Sequence, residues 1–383
     1  MLNKKGKHIL IVAGEASGDL HGANLVQAIK DIDPTIFIQG IGGDLMKKAG
    51  VEILIPSTEM AVVGITEVFS KLGSIINAHF TLKKILRENR PDLLILIDYP
   101  DFNINLARSA NLYRVPVLYY ISPQVWAWRK GRTKKIAQRV DRMAVILPFE
   151  KEVYNKTSLK VDYVGHPLLD NVPTDVNRDK AIKDMALSDG RPVIGLLPGS
   201  RGEEINKLLP LMIKSVEIIS EHFPKLQCIL PVAPTISVAQ IQSCIENSMI
   251  EIKLTRNDIY GSLSVCDLAL VASGTATLET AMTYTPMVIV YKVSLFTYWF
   301  GRLVVKVPYI GLVNLVAGEE VVPELIQDDA NPQRLADEAL SILNSDISKT
   351  EIKEKLKDVK KALGVGGASK RTAEIAIDMI ESC

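Results

Sequence analysis

Short, almost uninterrupted apolar runs recur along this chain. Each stops at a loop of small or acidic residues before a helical stretch begins. Residues 8–13, 36–41, 91–97, 115–120, 143–147 and 161–164 form one series; residues 193–197, 226–232, 252–254, 265–272 and 287–292 form a second. An apolar run without alternation is the pattern of a strand buried on both faces. Strands that alternate with helical segments build parallel sheets. The chain is therefore expected to be α/β with two Rossmann-like domains. Its 383 residues, 47% of them hydrophobic, suit two cores at the usual ~100–200 residues per domain. The polar stretch 169–190 marks the change of domain. The expected divisions are 1–168, 169–345 and a helical tail, 346–383, that returns to the first domain or to a partner subunit.

Charge and composition narrow the function classes. A formal net charge of +1 gives no field to attract nucleic acid. Cys228, Cys244, Cys266 and Cys383 have neither metal-ligand spacing nor the density of a disulfide scaffold. The apolar run at residues 9–13 is too short for a signal-peptide core, and no stretch reaches the length of a membrane span. A cytosolic protein is expected. Gly14, Gly18 and Gly22 are spaced four apart, which is not the G-x-G-x-x-G of a dinucleotide site, so a nicotinamide cofactor is disfavoured.

Several loops sit where strands end. The run at 265–272 stops at Ser273-Gly274-Thr275-Ala276-Thr277, and good helix formers follow. Free backbone N–H groups and the positive end of a helix dipole then converge, which suits a phosphate. Ser273, Thr275 and Thr277 add hydroxyls, and Gly274 admits a ligand close to the backbone. Glu279 shares a helix face with Thr275 and can accept hydrogen bonds from ribose hydroxyls. The same residues also make an ordinary capped helix with a solvated glutamate. Residues 198–205 give a second such signal. Arg201 at a helix start opposes the dipole, so it points to an anion that both attract, or else is a lone surface guanidinium.

In the first half, residues 91–97 run into Asp98-Tyr99-Pro100-Asp101-Phe102-Asn103. A carboxylate at the carboxyl end of a parallel strand lies where α/β sheets bind ligands. Apolar surroundings would raise its pKa, as general-base work requires. As a turn or cap residue Asp98 competes with Asp101 and Asn103. Residues 14–22 read as a Gly-rich loop before a helix over 23–30. On that loop Ser17, Asp19 and His21 are substrate contacts or caps. Residues 311–314 read as a small loop on which Asn314 contacts a base or phosphate.

Other stretches suit surfaces. Val62, Val63, Ile65, Val68, Phe69, Leu72, Ile75 and Ile76 spread over much of a helix. Such a helix is buried on several sides or turns a surplus apolar face to a membrane or acyl chains. Trp126 and Trp128 stack on a sugar or cover a core edge. Residues 129–142 hold seven cations, a solvated helix face or a binder of anionic headgroups and phosphates. Phe296, Tyr298, Trp299 and Phe300, beside Arg302 and Lys306, suit a membrane–water interface or a packed junction.

Six segments occur together in order: Ala13-Gly-Glu-Ala-Ser-Gly-Asp19, Ile97-Asp-Tyr-Pro-Asp-Phe-Asn103, Tyr120-Ile-Ser-Pro-Gln-Val-Trp-Ala-Trp128, Val164-Gly-His-Pro167, Leu197-Pro-Gly-Ser-Arg201 and Ala272-Ser-Gly-Thr-Ala-Thr-Leu-Glu279. In these, and over nearly its whole length, the chain resembles the lipid A disaccharide synthases, inverting glycosyltransferases of the GT-B class. The resemblance implies two Rossmann-like domains facing a cleft. It implies UDP-2,3-diacylglucosamine as donor, 2,3-diacylglucosamine 1-phosphate as acceptor and a β-1,6 linkage made with release of UDP. It implies no metal and no cofactor. Asp98 matches the family's proposed base, acting on the acceptor's 6-hydroxyl. Ser200, Arg201, Ser273, Gly274, Thr275, Glu279 and Asn314 match its nucleotide site, and Ser17 and Asp19 are taken as further substrate contacts. Acylated substrates give Val62, Val63, Val68, Phe69, Leu72 and Trp299 a reason as membrane contacts. A homodimer, peripheral on the cytosolic face of the inner membrane and without a nucleic acid partner, is then expected. Two other readings share these features: a soluble enzyme like UDP-N-acetylglucosamine 2-epimerase, and a non-catalytic membrane-surface binding protein.

Overall fold

The strands form because long Ile, Val and Leu runs have no polar side chain to turn toward water. In a computed structural model they assemble into two all-parallel sheets. The structure describes residues 6–60, 65–124, 131–173, 176–256, 258–293 and 307–382; the side chains of residues 16 and 65–72 lie outside that description. The chain divides into two units: Met1–Asp170 with Leu363–Cys383, and Asn171–Ala362.

The first unit holds β1 (His8–Ala13), β2 (Phe37–Gly42), β3 (Glu52–Pro56), β4 (Leu93–Ile97), β5 (Val117–Tyr120), β6 (Arg142–Val145) and β7 (Lys160–Tyr163), in the order β3-β2-β1-β4-β5-β6-β7. All five residues of β4 are fully buried, worth roughly 1.5–3 kcal/mol for each large aliphatic side chain. Strand β3 has no counterpart in the sequence reading; it is a half-exposed edge strand opened by Glu52 and closed by Pro56. The last helix, Ala368–Glu381, packs on the helix Ala16–Ile32. It is tied down at both ends. Asp170 accepts from the backbone N–H groups of Gly367, Ala368 and Ser369, and Asp378 pairs with Arg142 at 2.6 Å. The preceding helix, Asp346–Ala362, belongs to the second unit.

The second unit holds β8 (Val193–Leu197), β9 (Gln227–Pro231), β10 (Ile252–Thr255), β11 (Leu268–Ala272), β12 (Met287–Tyr291) and β13 (Glu324–Ile326), in the order β10-β9-β8-β11-β12-β13. The apolar run at 265–272 proves to be two elements. Val265 ends the helix Ile259–Val265, and the strand begins at Leu268. Asp267 breaks the run; its carboxylate accepts from the Val193 N–H at 2.9 Å.

The Gly-rich loop expected at residues 14–22 is also different. The helix begins at Ala16 and encloses Gly18 and Gly22. Gly22 is there for space rather than for a turn: a Cβ on it would lie 2.6 Å from the sulfur of Met46.

Candidate active site

Each sheet has one point where the strand order reverses. In the first it lies between β1 and β4, in the second between β8 and β11. Helices leave such neighbours toward opposite faces, so a crevice opens at the strands' carboxyl ends, and α/β sheets bind ligands there. Register brings the right residues to those points. Ala13 pairs with Ile97, so Gly14 and Asp98 follow side by side. Val271 pairs with Leu197, which sets residues 198–201 beside 273–275.

Asp98 occupies a strained elbow. Asp98 and Tyr99 both have φ 45°, in the left-handed region, which costs non-glycine residues about 1–2 kcal/mol each. Pro100 then opens the helix Pro100–Leu112. The elbow is tied on every side. The Asp98 N–H donates to the Tyr120 carbonyl at 3.3 Å. The Asp98 carbonyl accepts from the Asn103 side-chain amide at 2.7 Å and from the Tyr119 hydroxyl. The Tyr99 hydroxyl donates to the Met60 carbonyl at 3.0 Å, and its ring covers Gly14 so closely that a Cβ there would lie 2.6 Å from it. Burial raises the Asp98 carboxyl from 3.8 to about 6; the nearby Glu15 carboxylate adds to this, and the Tyr99 backbone N–H opposes it. A carboxyl poised there accepts a proton from an alcohol better than an ordinary aspartate does.

The neighbouring loop supplies less than expected. Asp19 is buried, and its carboxylate accepts from the N–H groups of Gly43 (2.7 Å), Leu45 (3.1 Å) and Met46 (3.0 Å). It caps the helix Asp44–Lys48 and, with its oxygens so engaged, holds the fold. Ser17 is exposed on the first turn of its helix and makes no hydrogen bond among the described residues. His21 turns inward, where its Nδ1 has no hydrogen-bond partner among the described residues. Burial lowers its pKa to about 4, and burial and the facing His21 lower that of His166 likewise.

In the second unit, β8 leads into Pro198 and Gly199. Gly199 has φ 114°, where any side chain is strained, and a Cβ on it would press on the Glu204 side chain. The Glu204 carboxylate folds back to accept from the N–H groups of Ser200 (2.9 Å) and Arg201 (3.2 Å). The anion attracted by the helix Gly202–His222 is therefore first its own Glu204. The Arg201 guanidinium is exposed and makes no hydrogen bond or ion pair among the described residues.

After β11, Gly274 adopts φ 153°, ψ −159°, a region essentially reserved for glycine. Among the described residues, nothing lies within 4 Å of the place a Cβ would take. Two of the three expected hydroxyls are engaged: Ser273 donates to the Ile310 carbonyl at 3.2 Å and Thr277 to the Gly274 carbonyl at 2.8 Å. Thr275, exposed at the start of the helix Thr275–Met282, makes no side-chain hydrogen bond among the described residues. Glu279 is half-buried rather than solvated, has no hydrogen-bond partner among the described residues, and is raised by burial.

Asn314 is not on a loop but within the helix Leu312–Ala317, fully buried. Its amide oxygen accepts from the N–H groups of Val321 and Val322, and its nitrogen donates to the Val322 carbonyl and to Glu324. Glu324 in turn accepts from the N–H groups of Ile310 (2.8 Å) and Gly311 (3.0 Å). Asn314 thus organises the segment that receives the Ser273 hydroxyl. Sequence reasoning missed Glu204, Glu324 and Tyr119, whose partners are identified only by the fold.

The family model described as Lipid-A-disaccharide synthetase matches residues 9–379. A lipid-A-disaccharide synthase of Geobacter sulfurreducens is 48% identical over 380 residues, covering 99% of each chain. That of Nitrosococcus oceani is 43% identical over 373 residues, covering 97% of this chain and 96% of its own. The chain belongs to the lipid-A-disaccharide synthase family. It is a hexosyltransferase of lipid A biosynthesis. A UDP-GlcNAc 2-epimerase from Neisseria meningitidis, solved bound to UDP-GlcNAc, matches with TM-score 0.64 at 13% identity, covering 97% of this chain and 100% of that one. The glycotransferase of kitacinnamycin matches at 0.62 and 12%, covering 98% of this chain and all of the other. At such identities the likeness shows the two-domain GT-B fold alone.

The surfaces expected of this family member are only partly described. Val62, Val63, Trp126, Trp128, Trp299 and the stretch 294–306 lie outside the described residues, as do the side chains of Val68, Phe69 and Leu72. Their helix, Ile65–Glu88, buries Ala78, Leu82 and Leu86 but leaves Ile76 and Phe80 exposed. In the basic stretch, Arg132 pairs with Asp101 at 2.6 Å, Arg142 pairs with Asp162 at 2.7 Å, and Arg139 donates to the Ile104 carbonyl. Lys134 and Lys135 stay exposed. No described helix is long and apolar enough to cross a membrane.

Proposed function

We propose that the enzyme transfers the sugar of UDP-2,3-diacylglucosamine to the 6-hydroxyl of 2,3-diacylglucosamine 1-phosphate, with Asp98 as the base. Asp98 takes the hydroxyl proton as the alcohol oxygen bonds to the donor's anomeric carbon from the face opposite UDP. The anomeric carbon–oxygen bond to UDP breaks, and configuration inverts. The second unit holds the donor. Arg201 faces the diphosphate, the backbone at Gly274 and the Thr275 hydroxyl take phosphate oxygens, and Glu279 accepts from the ribose. Arg201 and the helix N-terminus offset the charge that grows on the leaving diphosphate. Ser200 contributes a hydroxyl beside Arg201, Ser17 contributes one from the first turn of its helix, and Asp19 and Asn314 act by holding their loops. The observation that carries this reading is the Asp98 carboxyl, held on a strained elbow at a switch point and raised to about 6.

The acyl chains make a lipid surface part of the proposal. Ile76 and Phe80 are exposed on the helix Ile65–Glu88, whose sequence also holds Val68, Phe69 and Leu72. That helix docks the enzyme, as a homodimer, on the cytosolic side of the inner membrane. Incubation with both acylated sugars and mass analysis tests the chemistry. We expect a β-1,6-linked disaccharide 1-phosphate and UDP, with turnover by Asp98→Asn lower by roughly a hundredfold or more. Near-normal turnover by that variant would remove Asp98 from the mechanism.

A further inference from the structure

We infer that Asn103 and Tyr119 are positioning residues, which hold the Asp98–Tyr99 elbow in its left-handed conformation and so aim the Asp98 carboxylate at the acceptor hydroxyl. The inference rests on Asp98 being the base.

Two successive non-glycine residues at φ 45° do not stay there unaided. The peptide between them relaxes by rotating, which carries the Asp98 carbonyl and side chain to new directions. What prevents this is a pair of donors on the Asp98 carbonyl. Asn103 reaches back from the first turn of its helix. Its amide nitrogen lies 2.7 Å from the Asp98 oxygen and 3.2 Å from the Ile97 oxygen. Two carbonyls on one side require the nitrogen there, so the orientation of the amide is determined. The other end of that amide, fully buried, has no hydrogen-bond partner among the described residues. A buried acceptor is left unmet so that two carbonyls can be gripped. Tyr119, also fully buried, donates its hydroxyl to the same Asp98 oxygen from β5. Tyr120, the next residue, takes the Asp98 N–H. The strand beside the base thus holds both polar atoms of the Asp98 backbone, one through a side chain and one through a carbonyl. The Asn103 amide nitrogen and the Tyr119 hydroxyl are both committed to backbone carbonyls, and both side chains are fully buried, so both act through Asp98.

Tyr119→Phe removes one oxygen without changing the ring, and Asn103→Ala removes the other grip. Each is expected to lower kcat about tenfold with KM within twofold, since a displacement of about 1 Å at a reacting group costs up to a hundredfold. Together they should lose more than the product of the single losses, because either grip alone still restrains the peptide. The acidic limb of the kcat profile should move to lower pH as the carboxyl reaches water. UDP affinity, measured by calorimetry, should be unchanged. The proposal is overturned if both single variants keep kcat within twofold with an unmoved pH profile, or if KM rises as much as kcat falls. Should Asn103→Ala not fold, the isosteric Tyr119→Phe decides alone on the same criteria. A crystal structure of each folded variant separates this inference from the catalytic reading. A rotated 98–99 peptide supports the grip even if Asp98→Asn proves active, and an elbow still near φ 45° in both refutes it.

Discussion

Asp98→Asn should make this enzyme more stable at neutral pH while it lowers turnover. Folding moves the Asp98 carboxyl from 3.8 to about 6, chiefly by burial. The folded protein therefore holds that proton more tightly than the unfolded chain does. Below pH ~4 both states are protonated and the group costs nothing. As pH rises from 4 to 6, the unfolded chain ionises first, and stability falls by about 1.4 kcal/mol per pH unit. Above 6 the full cost remains, nearly 3 kcal/mol as an upper bound. Solvent reaching this half-buried side chain reduces it to about 1–2 kcal/mol. An asparagine carries no charge and accepts left-handed backbone more readily than most residues, so the variant escapes the cost. Thermal unfolding of both proteins from pH 4 to pH 8 measures this. The gain in Tm should be about 2–8 °C at pH 8, at roughly 2–4 °C per kcal/mol, and should shrink toward pH 4. Comparing variant with parent isolates this carboxyl from the buried histidines, which drift the other way. A Tm difference that is flat across the range, or a variant less stable at pH 8, would refute the burial argument.

Three further outcomes are expected. Arg201→Ala should weaken UDP binding roughly tenfold to a hundredfold, the worth of a charge-assisted contact; calorimetry showing unchanged affinity would move the diphosphate elsewhere. Burial lowers His21 and His166 from 6.5 to about 4. As pH falls through that window the unfolded chain gains protons that the folded one refuses, at a cost of up to about 3 kcal/mol for each. His166→Asn should therefore lose less stability than the parent between pH 6.5 and pH 4.5 in urea titrations, and an equal loss in both would count against a buried neutral imidazole. Val68→Asp with Leu72→Asp should release the protein from vesicles of anionic lipid without changing its circular dichroism; an unfolded variant would show instead that this face is core.

The features legible without coordinates are those set by neighbours in the chain. Strand runs could be read because a residue buried on both faces must be apolar whatever lies against it, and β4 and β11 fell where the runs ended at polar loops. The two switch-point loops followed, since helices begin where those runs stop. The six matching segments carried the family, because residue identity alone carries it.

Which polar groups the fold consumes and which it leaves free was decided by the partners that folding brings together, some near in sequence, as for Glu204, and some distant, as for Asp19. Asp19 is spent on the N–H groups of residues 43–46, Asn314 on those of 321 and 322 and on Glu324, and Glu204 on the loop in front of it. Arg201 and Thr275 have no such claim on them among the described residues. Asp98 owes its raised pKa to burial beside Glu15, which comes from the loop after a different strand, and its direction to Tyr119 and Asn103. A sequence specifies which donors and acceptors exist. Only packing brings them within the 3 Å or so at which a hydrogen bond forms, and so only the tertiary structure could say which of them remain for a substrate.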